Sequence, residues 1–119
     1  MAGLLAKSLD SPDETRRFPQ GHVDIVALGD VTLGRAVFEP GWRWTQHMAS
    51  MAGTDSCQAN HTGYVLSGRM RVVMDDGEEG VAGPGDAFLI PPGHDAWIEG
   101  DEPCVVLDWT GMARYATPS

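Results

Sequence analysis

Basic side chains are scarce in this sequence: eight Lys and Arg stand against seventeen Asp and Glu, a formal charge of −9 over 119 residues. A surface of that sign repels phosphate backbones and anionic headgroups, so neither nucleic acid nor a membrane is an expected partner. Long apolar runs are missing as well. Glycine or charge breaks every hydrophobic stretch well short of the roughly 20 residues that cross a bilayer. The opening segment offers Leu4, Leu5 and Leu9 as its apolar cluster, without the continuous stretch and cleavage site of an export signal. A cytoplasmic location is therefore expected. Cysteine is limited to Cys57 and Cys104, which suits free thiols in a reducing compartment better than a disulfide framework. No glycine loop runs into a helix to cradle phosphate, and Ser67-Gly68 falls at an expected hairpin, not at a nucleophile elbow.

What the chain does have is turn formers. Fifteen Gly and eight Pro among 119 residues interrupt helices and favour short strands. With 42% hydrophobic and 21% charged residues, the composition is that of a folded globular chain. Strand-sized apolar segments recur at 23–28, 31–38, 62–66, 70–74, 87–90, 96–98 and 105–109. Gly29-Asp30, Ser67-Gly68 and Asp75-Asp76-Gly77 separate several of them as hairpin turns would. Prolines 84, 91 and 92 bracket 87–90 and keep that strand short. The pattern predicts an all-β domain at 22–110, preceded by an irregular arm at 1–21 and followed by an extension at 111–119. At this size the domain buries proportionately little surface, and pairing into a homodimer is expected.

The run Gly83-Pro84-Gly85-Asp86-Ala87-Phe88-Leu89-Ile90-Pro91-Pro92-Gly93-His94 resembles the second motif of the cupin family, in which a glycine and five residues precede Pro-x-Gly. Tyr64-Val65-Leu66-Ser67-Gly68 resembles the end of the first motif. The resemblance spans roughly 22–110 and implies a single-domain cupin-like jelly-roll barrel. It also implies metal ligands in the first motif: His-x-His, three residues, then Glu, six residues before the closing glycine. Counted back from Gly68, the glutamate position holds His61 and the histidine positions hold Cys57 and Asp55. Counted forward from Gly41, the first histidine is His47. The second motif's histidine position holds Ala96, with His94 two residues earlier.

The candidate ligands are therefore His47, Cys57, His61 and His94. Thiolate and imidazole together suit a divalent ion, zinc above iron, nickel or manganese. An open coordination position would activate water or polarise a carbonyl. Asp55 suits a solvated loop position, and His22 precedes the first strand. A Cys57–His61 thiolate-imidazole nucleophile is a weaker reading, resting on three-residue separation alone. Trp42, Trp44 and Trp97 offer rigid walls for an apolar ligand; on an extended segment Trp42 and Trp44 would share one face. The expected function is a metal-dependent cupin enzyme acting on a small organic molecule. The alternatives are a non-catalytic ligand-binding or regulatory cupin and a structural dimer.

Overall fold

In the computed structural model the described residues are 3–112, 115 and 116. The expected extension at 111–119 thus lies partly outside them, at 113, 114 and 117–119. Among these residues nine strands form: β1 (Glu14–Phe18), β2 (Gly21–Leu28), β3 (Val31–Phe38), β4 (His61–Ser67), β5 (Arg69–Met74), β6 (Glu79–Ala82), β7 (Ala87–Ile90), β8 (His94–Glu99) and β9 (Cys104–Asp108). Two single-turn helices, α1 (Trp44–His47) and α2 (Ala49–Ala52), lie between β3 and β4. The strands make an antiparallel six-stranded sheet in the order β1-β2-β3-β9-β4-β7 and a three-stranded sheet in the order β6-β5-β8.

The two sheets face each other and do not close into the expected barrel. On one side two isolated bridges link them to their surroundings among the described residues, Arg43 with Trp97 and Cys57 with His94. On the other, β6 and β7 end their sheets without pairing to each other. Both edges are four residues long. β7 is stopped by Pro91, which has no N–H to donate, and β6 opens with exposed Glu79 and Gly80. Short, charged or proline-bounded edges are poor templates for further pairing, so the seam stays open.

Period-two alternation builds the core. Val23, Ile25, Ala36, Phe38, Val65 and Val106 turn inward from the larger sheet, and Met70, Val72, Ala96 and Ile98 from the smaller. Phe38 packs at a tilt against Trp42 with ring centroids 4.3 Å apart, and Phe18 meets Tyr115 edge-on at 6.1 Å. Phe18 belongs to β1, so part of the segment expected as an irregular arm is an edge strand, one whose Glu-Thr-Arg-Arg carries no apolar period. Gly68 must be glycine: it has φ +77°, and a Cβ there would lie 2.4 Å from the Pro103 carbonyl oxygen. The close β4–β5 turn against the β8–β9 loop requires that contact.

The segment holding Trp42 and Trp44 is not extended throughout. Trp44 begins α1, because Asp95 on β8 accepts from Thr45 N at 3.0 Å and from Arg43 Nε at 2.8 Å and holds the turn against the sheet. Both indoles are buried all the same.

Candidate metal centre

Two donors four positions apart, Cys57 and His61, meet a third from β8, His94, between the sheets. Backbone bonds zip Cys57 to the start of β8: Cys57 N donates to His94 O at 2.7 Å, and Gly93 N donates to Cys57 O at 2.7 Å. His61 opens β4, where its register partner is Ile90, so its side chain points inward beside the bridge. Each of Cys57, His61 and His94 is buried, and their ligand atoms lie within 4.8 Å of one another. The cluster is compatible with a divalent metal ion. A zinc tetrahedron, with bonds of about 2.3 Å to sulfur and 2.0–2.1 Å to nitrogen, has an S···N edge of about 3.5 Å. Cys57 Sγ stands 3.6 Å from His61 Nε2.

Second contacts fix which nitrogens are offered. His94 Nδ1 is 2.8 Å from the Pro91 carbonyl oxygen, to which it donates, leaving Nε2 to face Cys57. His61 Nδ1 is 2.5 Å from Asp108 Oδ2. Asp108 is held in turn, its Oδ1 accepting from Thr110 N at 3.0 Å and Gly111 N at 2.9 Å. Thr110 Oγ1 accepts from Thr62 N at 2.7 Å and donates to Asn60 O at 3.1 Å, so the loop after β9 clamps the strand that carries His61. Gly111 lies so close that an added Cβ would be 2.5 Å from His61 Nδ1.

Proton positions follow from these contacts. Burial alone would raise the Cys57 thiol, but hydrogen bonds from His61 and His94 and the charge on both outweigh it and bring it from 9.0 to about 6. Burial would lower His61, yet its hydrogen bonds to Asp108 and Cys57, with their negative charge, raise it from 6.5 to about 9. Without metal, the pair is a buried thiolate and imidazolium. The second cysteine behaves oppositely: burial, then Glu102, pushes Cys104 up to about 11. Both cysteines are free thiols. Burial, then the charges of Cys57 and Asp108, also raises the Tyr115 hydroxyl, which stays protonated.

His61 and His94 line an inner cavity of about 30 Å³ together with Trp42, Trp44, Asp108 and Tyr115, room for about one or two waters. His47 is elsewhere: it sits on α1 and its Nδ1 is 3.1 Å from Arg43 N. Trp97 lies on the face of β8 opposite His94, with the Arg43 guanidinium 4.5 Å above its ring. Sequence reasoning missed Asp108. Its signal was an acid in step with inward Cys104 and Val106 on one strand.

No helix among the described residues is long and apolar enough to cross a membrane. No functionally curated protein matches the sequence. Among solved structures, a Rhizobium leguminosarum protein of unknown function is 22% identical, covering 92% of this chain and 98% of its own, with a TM-score of 0.64. KdgF from a Halomonas species is 20% identical over 96% of this chain and 97% of its own, TM-score 0.64. The polyketide cyclase RemF from Streptomyces resistomycificus is 18% identical over 92% and 80%, TM-score 0.65. At these identities the likeness concerns the fold. The family model for the cupin domain matches residues 49–110, a span holding Cys57, His61, His94 and Asp108, and the chain belongs to the cupin family.

Proposed function

We propose that the protein is a metal-dependent cupin enzyme acting on a small organic molecule, with a divalent ion, zinc in preference to iron, nickel or manganese, held by Cys57, His61 and His94. The observation that carries this reading is the convergence of three buried donors within 4.8 Å. A thiolate among them favours a borderline-soft ion over one that prefers oxygen ligands. Charge balance supports it further. A dication with one thiolate and two neutral imidazoles leaves one positive charge, which the Asp108 carboxylate on His61 neutralises. Three protein ligands leave a position for water or substrate, and a bound ion there would supply Lewis acidity. His47 is not in this ligand set.

The chain's own groups have defined parts in this reading. Asp108 keeps the His61 proton on Nδ1 so that Nε2 faces the ion, and Pro91 does the same for His94. The β9 loop and Tyr115 cover the centre and limit water. Elemental analysis of protein purified without added metal tests the reading. Near-stoichiometric zinc in the wild type, lost in His61→Ala and His94→Ala, is expected. Substoichiometric metal that neither substitution changes overturns it.

A further inference from the structure

The inner cavity is too small for an organic substrate. About 30 Å³ lies beside His61 and His94, whereas sites for small organic ligands run from about 300 Å³ upward. A groove of about 450 Å³ opens between the free edges of β6 and β7, at the seam where the sheets fail to close. The two hollows share walls, because Phe88 and Ile90 line both. Alternation along β7 points both inward, and Phe88 is the less buried of the two. Its ring tip rests on Gly63, where an added Cβ would come within 2.6 Å of it. Phe88 is thus a partition between the cluster and the groove.

Two further observations describe what fits. Trp42 lines the inner cavity, and its indole Nε1–H is buried without a partner among the described residues. Buried donors are ordinarily satisfied, so this one marks the place of an acceptor. The charged residues lining the groove are all acidic: Glu78, Glu79 and Asp86. Glu79 pairs with Arg71, and Asp86 accepts from Gly83 N. The Glu78 carboxylate has no ion pair among the described residues. Val81 and Leu89, both exposed, supply apolar wall.

We infer that the ligand carries an oxygen acceptor at one end, lodged beside Trp42 and the Cys57–His61–His94 cluster, and an uncharged or cationic apolar body that passes Phe88 into the groove between β6 and β7. This placement rests on the cluster being the reacting centre. Anionic bodies are disfavoured by the acidic rim, and a body that displaces water from beside Trp42 without bringing an acceptor leaves the indole N–H unsatisfied.

Three probes that differ only in their para group test it: 4-(aminomethyl)benzamide, benzamide and 4-carbamoylbenzoate. Each is titrated into isotope-labelled protein, metal-free and with zinc, and followed by amide and indole NMR signals. The expected order of affinity is cationic, neutral, anionic, with the Trp42 indole signal and the Val81 and Leu89 amides moving together. Glu78→Lys, a surface change, is expected to narrow the cation-over-anion preference by about threefold. Trp42→Phe is expected to abolish the preference for benzamide over toluene, with fold retention read from the same spectra. Equal or tighter binding of the carboxylate overturns the inference. So does an unmoved Trp42 indole while the groove signals shift, or a response confined elsewhere. If the protein takes up no zinc, the metal reading falls while the metal-free titration still decides the groove. If zinc binds and Trp42, Val81 and Leu89 stay silent, this inference falls alone.

Discussion

In metal-free protein, removing the His61 imidazole by His61→Ala should return the Cys57 thiol toward ordinary behaviour. The magnitude follows from the site. Cys57 is brought from 9.0 to about 6 by its two histidine neighbours, a thousandfold change in ionisation constant. At pH 7.5 a thiol of that acidity is about 97% ionised, against about 3% for an unperturbed one. Thiolate absorbance near 240 nm as a function of pH should therefore show one early-titrating cysteine, while Cys104, pushed up to about 11, stays protonated. Stability should report the pair differently. The depressed Cys57 value contributes stability that is complete above 9.0 and lost as pH falls through about 6. The raised His61 value contributes stability complete below 6.5 and lost as pH rises through about 9. The two slopes oppose each other across the same interval, so their sum is nearly flat in pH although the proton has moved from sulfur to nitrogen. A wild-type thiolate midpoint near 9, or an early midpoint that His61→Ala leaves unmoved, refutes the assignment.

Other consequences are equally direct. Asp108→Asn keeps the shape but removes the charge that orients His61; zinc affinity should fall by about 10–100-fold in a chelator competition, and an unchanged affinity argues against the orienting role. Gly111→Ala places a methyl 2.5 Å from His61 Nδ1 and 2.6 Å from Asn60 O, and urea unfolding should show a loss of about 1–3 kcal/mol. Asp95→Ala deletes the acceptor that Thr45 and Arg43 share; a loss of about 1–2 kcal/mol is expected, with Trp44 fluorescence reporting looser packing of α1.

The strands were legible where alternation and turn chemistry agreed: 31–38 and 87–90 coincide with β3 and β7, and Gly29 and Gly68 sit at the expected hairpins with positive φ. β1 and β6 were not, because Glu-Thr-Arg-Arg and Glu-Gly carry no apolar period; pairing to a neighbour, not their own pattern, makes them strands. Closure into a barrel was an inference from family likeness, and the short edges at β6 and β7 override it. Of the candidate site, Cys57 and His61 stand at first-motif positions counted back from Gly68, whereas His94 lies two residues before the second motif's histidine position, which holds Ala96. His47 shares their chemistry but lies on α1, a turn set by Asp95 fifty residues away. The inward position of Asp108 was readable from its step with Cys104 and Val106, but its meeting with His61 depends on β9 pairing with β4, a long-range register that no local spacing encodes.

Cobalt substitution tests the central claim most directly. A centre built from Cys57, His61 and His94 predicts about one cobalt per chain, visible bands of a four-coordinate ion, and a sulfur-to-cobalt charge-transfer band lost in Cys57→Ser. Cobalt bound without the thiolate band, or a spectrum that Cys57→Ser leaves unchanged, would contradict it.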